Sequence, residues 1–145
     1  MTSRQKRVLI ILCVLVIFIA VLLIFSPILK STPIDIKVGE TYQGTITLED
    51  PPDAIDNTYR KHTYTFSVLV NEVYSINFNS LSGGSLLLFE YHDGNRTPLL
   101  SIGSGASGVK EYKVNSAGQK IFLIESPAVE CPAEYSLRIT KIRDS

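Results

Sequence analysis

The chain has 145 residues, with 14 basic and 14 acidic side chains, two histidines and two cysteines. Four basic residues lie at or before Lys30, so residues 31–145 carry ten positive and 14 negative charges, a net charge of −4. This balance excludes the basic face that nucleic-acid binding requires. The same segment is long enough for one hydrophobic core, and its single cysteine, Cys131, leaves it without an internal disulfide.

The first predicted element is an unbroken run of eighteen apolar residues, residues 8–25. At 1.5 Å per residue, this run forms a helix about 27 Å long, close to the ~30 Å hydrocarbon core of a bilayer. The residues that follow it, Ser26-Pro27-Ile28-Leu29, lack the small-x-small pattern at which signal peptides are cleaved. We therefore expect a retained signal-anchor, a transmembrane helix over residues 8–29 that contacts the lipid bilayer.

Basic residues flank this run unevenly. Three precede it, whereas two follow it and are partly offset by Asp35. By the positive-inside rule, residues 1–7 form a cytoplasmic stub, residues 30–35 a linker and residues 36–142 an extracytoplasmic domain. The expected localisation is the cell membrane, crossed in a single pass.

Beyond the linker, apolar and polar side chains alternate, which is typical of strands with one buried face. The predicted strands are residues 34–38, 44–48, 63–70, 73–79, 85–91, 97–102, 109–114, 120–125 and 134–141. We expect the first two to pair around Gly39, a tight hairpin at Asn71-Glu72 with Asn71 left-handed, and a turn at Asp93-Gly94. No further helix is expected after the membrane segment that contains Phe25. Seven to nine short strands at this spacing predict an all-β sandwich of antiparallel strands.

Several strand sequences carry a resemblance to a known family. They are Tyr64-Thr65-Phe66-Ser67-Val68, Val73-Tyr74-Ser75-Ile76, Leu86-Leu87-Leu88-Phe89-Glu90-Tyr91 and Glu134-Tyr135-Ser136-Leu137-Arg138-Ile139. Over residues 36–140 the chain resembles the bacterial and archaeal pre-peptidase C-terminal domain. The resemblance implies a jelly-roll-like β-sandwich that acts in binding or folding support and does no chemistry. The acidic residue usual before the Leu-rich strand is replaced here by Gly83-Gly84-Ser85, so calcium is not expected at that strand.

The sequence offers no catalytic constellation. The two histidines, His62 and His92, stand at a strand start and beside a turn, and no motif supplies a serine or cysteine that either could activate. We therefore expect solvated histidines, no catalytic residues and no enzymatic activity.

Two irregular stretches, residues 50–61 and 103–108, are the predicted binding loops at the ends of the sandwich. The first is acidic, but its spacing matches no calcium loop, so we expect a solvated loop and no metal. The second precedes a strand, whereas a phosphate cradle needs a helix N-terminus, so a flexible connection is expected. The candidate binding residues are Asp50, Asp53, Asp56, Ser104 and Ser107. Asn95-Arg96-Thr97 is in addition a glycosylation sequon in a predicted turn.

These features predict a membrane-anchored, non-enzymatic binding or assembly module of the cell envelope. Its expected partner is an envelope or membrane-complex protein, and no cofactor is expected. The alternative is a carbohydrate- or cell-wall-binding module, which needs exposed aromatic rings on one face. The tyrosines available for such a platform are Tyr42, Tyr59, Tyr91 and Tyr112.

Overall fold

The computed structural model describes residues 32–144, and nine strands account for most of these residues. Their bounds are β1 Ile34–Asp35, β2 Thr41–Ile46, β3 Tyr59–Val68, β4 Glu72–Ser82, β5 Leu86–His92, β6 Asn95–Ile102, β7 Ser107–Lys113, β8 Gly118–Pro127 and β9 Ala133–Asp144. Among the described residues, the only helical element is one 3₁₀ turn, Ala128–Glu130. The all-β fold predicted from the alternating pattern is confirmed.

The expected transmembrane helix of residues 8–29 and the stub of residues 1–7 lie outside the described residues. Within residues 32–144, no helix has the length and apolarity needed to cross a bilayer. Strand β1 already begins at Ile34, inside the expected linker, and pairs with the body of the domain.

The strands form two sheets whose inner faces share one hydrophobic core. The five-stranded sheet has the order β1-β3-β8-β5-β6, and the four-stranded sheet has the order β2-β9-β4-β7. The pairings are antiparallel except that of β1 with β3, which is parallel. The predicted sandwich is thus confirmed, while the expectation of antiparallel strands throughout is wrong at β1.

Two predicted strand pairings are also wrong. Residues 34–38 do not pair with residues 44–48, because β1 pairs with β3 in one sheet and β2 pairs with β9 in the other. Nor does Asn71-Glu72 close a hairpin, since β3 and β4 lie in different sheets. Alternation tells which face of a strand is buried, but a short connection can either fold back or cross to the other sheet.

The local turn conformations were easier to predict. Asn71 has a left-handed φ of 69°, as expected for its short polar side chain. Asp93 and Gly94 have φ values of 48° and 84° and close the two-residue β5–β6 hairpin. Positive φ at both central residues is the requirement of the type I′ turn that suits a hairpin.

The core follows the phase that the alternation predicts. The inward residues of β3 and β4 are buried and are Tyr64, Phe66, Val68, Tyr74, Ile76 and Phe78. The Phe66 ring lies 5.0 Å from the ring of Phe122 and 5.6 Å from that of Tyr74, so it contacts both sheets. Such aromatic pairs add about 0.5–1.5 kcal/mol beyond the area they bury.

Glu72 fixes the connection between β3 and β4, where the chain crosses from one sheet to the other. Its buried carboxylate accepts hydrogen bonds from Lys141 Nζ at 2.9 Å, Tyr74 Oη at 2.5 Å and the Leu69 N–H at 2.6 Å. These bonds, that of Lys141 first, lower the pKa of Glu72 from the ordinary 4.5 to about 2. The crossing therefore depends on an ionised carboxylate.

Glu72 should make the stability of the domain depend on pH in the acid range. Because its folded-state pKa is depressed, its contribution is fully present above about pH 4.5 and is lost as the pH falls toward 2. Glu72→Gln should unfold more easily than wild type at neutral pH and should lose less further stability over the acid range. Urea unfolding of residues 31–145, followed by circular dichroism, measures both. The exposed Glu49→Gln variant is the control, and equal pH slopes for Glu72→Gln and wild type would contradict this role.

Candidate functional site

A groove of about 330 Å³ opens on the outer face of the five-stranded sheet. Its floor is made by outward side chains of β3 and β8, namely Thr63, Ile121 and Leu123. Residues 53–55 of the acidic loop form one wall, and residues of the β5–β6 hairpin form the other. The volume is at the low end of the range for ligand clefts, about 300–1,000 Å³.

The groove exists because β8 is apolar on both of its faces. Phe122 and Ile124 point into the core, so Ile121 and Leu123 must point outward. The loop before β3 folds back over this outer face, as the Asp53 N–H bond to the Tyr59 carbonyl indicates. Leu123 is buried in this way, while Ile121 is only half covered. The uncovered apolar surface is the floor of the groove.

Four charged side chains meet beside this floor. Arg96 Nη1 lies 2.8 Å from Glu125 Oε1 and 3.1 Å from Asp53 Oδ1, while Lys61 Nζ lies 3.6 Å from Asp53 Oδ2. The two carboxylates are 3% and 2% exposed, whereas the lysine and arginine side chains are 18% and 20% exposed. The negative charges are therefore buried beneath the positive ones, and a ligand entering the groove meets the cations first.

Burial and neighbouring charges shift the pKa values of both carboxyls. Burial raises the pKa of Glu125, and the nearby Asp53 carboxylate raises it further against the attraction of Arg96. Burial also acts to raise the pKa of Asp53, but hydrogen bonds from the N–H groups of Asp56 and Ile55, with the charges of Arg96 and Lys61, bring it below its usual value. The pKa values of the two carboxyls are therefore shifted in opposite directions, that of Asp53 downward and that of Glu125 upward.

The predicted acidic binding residues have different structural roles. Asp53 alone lines the groove, and its buried carboxylate caps the N–H groups of residues 55 and 56 at 2.9 and 3.0 Å. Asp50 Oδ2 accepts from the Thr47 N–H at 2.6 Å, and Asp56 Oδ1 accepts from the Thr58 hydroxyl at 2.6 Å. All three carboxylates therefore stabilise their own loop. In residues 32–144, no group of three side chains has the geometry of a metal site.

Ser104, in the β6–β7 connection, and Ser107, the first residue of β7, are both exposed and do not line the groove, so the predicted loop of residues 103–108 ends earlier than expected, at Ala106. This connection is held to β4, because Ser80 Oγ accepts from the Gly105 N–H at 3.3 Å and the Ser80 N–H donates to the Ala106 carbonyl at 2.9 Å. Asn95 is exposed at the start of β6, directly before the groove residue Arg96. Of the two predicted binding loops, only the acidic loop lines the groove. The glycosylation sequon that begins at Asn95 lies next to the groove.

His62 is not the solvated side chain that the sequence predicts. Its Nε2 lies 3.1 Å from Asp50 Oδ1, and its Nδ1 lies 2.6 Å from the hydroxyl of Tyr135, which in turn lies 2.5 Å from that of Tyr64. His62 therefore connects the acidic loop to the core. The alternation of β3, extended from Tyr64 by two residues, was the signal that places His62 inward. His92 is exposed as expected.

The four tyrosines considered for a carbohydrate platform do not share one face. Tyr112 is buried and donates to Glu90 Oε1 at 2.7 Å, and Tyr42 points inward, with its ring 6.3 Å from that of Tyr64. Tyr59 and Tyr91 belong to the outer face of the other sheet. The stacking surface that sugar binding needs is therefore reduced to two rings.

Comparison with solved structures finds several proteins to which this chain is similar. PliG of Salmonella Typhimurium, a periplasmic lysozyme inhibitor of g-type lysozyme, has a TM-score of 0.50 and 15% identity, covering 78% of this chain and 100% of its own. The pre-peptidase C-terminal domain of a Bacillus anthracis collagenase has a TM-score of 0.49 and 14% identity, covering 77% of this chain and 97% of its own. PliG of Aeromonas hydrophila has a TM-score of 0.47 and 10% identity, covering 75% of this chain and 96% of its own.

At these identities, the likeness to Salmonella PliG shows the β-sandwich fold and nothing further. A scan against protein-family models finds no match, and neither does a search of the curated proteins.

The Tyr135 hydroxyl should be necessary for stability because it serves two other groups. Tyr135→Phe leaves His62 Nδ1 and the Tyr64 hydroxyl without this partner, so we expect a loss of about 1–3 kcal/mol in the free energy of unfolding. Tyr135→Ala, which also leaves a cavity, should cost about 3–5 kcal/mol. Urea unfolding of residues 31–145 measures both. Tyr42→Phe, whose hydroxyl bonds are exposed, is the matched control and should lose less than Tyr135→Phe. A Tyr135→Phe variant as stable as wild type would exclude the network.

Proposed function

We propose that this protein is a single-pass membrane protein whose extracytoplasmic β-sandwich binds a protein partner of the cell envelope without doing chemistry. The groove between the acidic loop and the β5–β6 hairpin is its docking site. The observation that carries this proposal is the combination of uncovered apolar floor and fixed cations on one outer face. The membrane part rests on the apolar run of residues 8–25 and the basic residues before it.

The rigidity of the groove favours binding. Arg96 is held by two carboxylates, and its guanidinium carbon lies 5.2 Å from the centre of the Phe89 ring. Side chains that are already ordered lose little conformational entropy when a partner docks. The charged groups of the groove therefore lose little conformational entropy when they contact a partner, which favours binding.

The class of partner is supported by the fold and by the strand sequences. PliG, which has this fold, is an inhibitor of a lysozyme and so acts on a protein in the periplasm. The strand sequences also resemble the pre-peptidase C-terminal domain, a jelly-roll-like binding module of secreted and surface proteins. Both support protein recognition outside the cytoplasm by a sandwich of this kind.

A membrane anchor would raise the fraction of domains with a partner bound, even where the groove binds that partner weakly. A helix over residues 8–29 would keep the domain close to the membrane surface, where envelope complexes are concentrated. A partner in the same membrane then meets the groove at a high effective concentration. The loop residues Ser104 and Ser107 remain predicted contacts at a second position on the sandwich.

The proposed topology can be tested with protease. An epitope tag before Met1 should survive protease treatment of intact cells or spheroplasts, whereas the domain of residues 36–142 should be digested, because only the domain lies outside. Permeabilised cells, in which the tag is also digested, are the control. A mature N-terminus near Ser31 would contradict the anchor and indicate a cleaved signal peptide.

Site-specific crosslinking tests the groove as the docking site. A photoreactive amino acid at Ile55, a groove residue that is 67% exposed, should form an adduct with a membrane or envelope protein in intact cells. The matched control is the same probe at Val109, which is 66% exposed but lies on the four-stranded sheet. Adducts from position 109 alone would move the docking site to the opposite face. Absence of protein adducts from both positions would contradict the proposed function.

A further inference from the structure

The Arg96 guanidinium has donors to spare for a ligand. Its Nη1 makes the contacts to Glu125 and Asp53, at 2.8 and 3.1 Å. Within residues 32–144, its Nε and Nη2 have no hydrogen-bond acceptor. The guanidinium carbon also lies 5.2 Å from the centre of the Phe89 ring, a cation–π contact that helps to hold the group while these donors remain unused. Two neighbouring N–H groups of a fixed guanidinium match the two oxygens of a carboxylate.

The arrangement of charges in the groove determines whether an anionic or a cationic ligand is favoured. The carboxylates of Asp53 and Glu125 are buried and are already paired with cations. Lys61 and Arg96 lie nearer the solvent and line the groove. Asp53 also lines the groove, but its side chain is 3% exposed, whereas those of Lys61 and Arg96 are 18% and 20% exposed, so an entering ligand meets positive charge first. The site therefore favours an anionic group.

The remainder of the groove selects an apolar group of small size. Ile55, Tyr91, Ile121 and Leu123 supply apolar surface beside the two cations. A volume of about 330 Å³, closed by the loop on one side and by the hairpin on the other, is too small for a helix or a paired strand. A polypeptide can fill such a space with its last residue, which carries an apolar side chain and a carboxylate on one Cα.

We infer that the groove binds the carboxyl-terminal residue of its protein partner, with the α-carboxylate on Arg96 and Lys61 and an apolar side chain on Ile121 and Leu123. This inference rests on the proposed function, because it names the part of the partner that the docking site holds. The anion supplies orientation through two parallel hydrogen bonds, and the apolar side chain supplies buried area. A partner with an apolar last residue is therefore preferred over one with a polar last residue.

Peptide binding to the full chain tests this directly. The protein is reconstituted in phosphatidylcholine nanodiscs and titrated into fluorescein-labelled Gly-Gly-Gly-Leu, with either a free carboxylate or a C-terminal amide, while fluorescence anisotropy is measured. We expect the free carboxylate to bind about tenfold more tightly, the change that one charge-assisted contact provides. Equal affinity of the two peptides would overturn the inference. So would equally tight binding of Gly-Gly-Glu-Leu-Gly-amide, which carries its carboxylate on an internal side chain.

Substitutions at Ile55 test the location without disturbing the buried charges, because this side chain is exposed. Ile55→Asp and Ile55→Lys lose the same apolar contact but add opposite charges at the groove. We expect Ile55→Asp to reduce the preference for the free carboxylate and Ile55→Lys to keep or increase it. Arg96→Gln should abolish the preference, and Arg138→Gln, on the other sheet, is the arginine control. The same preference in Ile55→Asp and Ile55→Lys would place the peptide elsewhere and overturn the inference.

Lipid headgroups are the competing anion. If phosphatidylglycerol added to the nanodiscs displaces the carboxylate peptide, the groove holds a lipid phosphate and the inference is overturned. If the peptides fail while position 55 still crosslinks to a protein, only the ligand class is wrong and the docking function stands. If crosslinking also fails, both are wrong.

Discussion

The rest of the structure depends on the position of Tyr135 between the two sheets. Its ring is fully buried and lies 6.4 Å from the ring of Tyr64 and 6.1 Å from that of Phe78. Gly44 on the neighbouring edge strand is required for this, because a Cβ there would lie 2.5 Å from the Tyr135 hydroxyl oxygen. One tautomer gives every group in this chain of bonds a partner: with the ring proton on Nε2, His62 donates to Asp50 and accepts from Tyr135, which accepts from Tyr64.

The same chain of bonds connects the core to the groove. Asp50 begins the acidic loop, and the wall of the groove follows at residues 53–55. The loop is held at two points in its first half, at Asp50 by His62 and at Asp53 by Arg96. Buried ion pairs such as that of Asp53 and Arg96 add little net stability, because desolvation offsets their attraction. Their effect here is geometric, since they hold the loop and the cations in one arrangement.

The sequence predicts those structural features that are determined by residues close together in the chain. Alternation placed Tyr64, Phe66 and Tyr74 in the core correctly, and turn chemistry placed the Asp93-Gly94 hairpin. Strand partners depend on where a connection leads, so the pairing of β1 with β3 and the crossing at Glu72 have no local signal. The groove is assembled from four separate segments, residues 53–55, 61–63, 91–96 and 121–123, whose strands are brought together by the pairing of β8 with both β3 and β5. Asp53 was predicted as a contact residue of a solvated loop, because sequence alone could not provide its partners Lys61 and Arg96.

The two outer faces of the sandwich differ in a way that bears on recognition. The outer face of the four-stranded sheet carries Asn77, Asn79, Arg138 and similar polar groups, which are typical of a face that remains in water. The outer face of the five-stranded sheet carries apolar residues that the acidic loop covers only in part. The fixed charges of the groove allow a ligand to bind in one orientation only, which provides specificity. Because the apolar area is small, binding buries little surface and the affinity is low. A membrane tether compensates for this by raising the local concentration of the partner, so a narrow groove and an anchored domain suit each other.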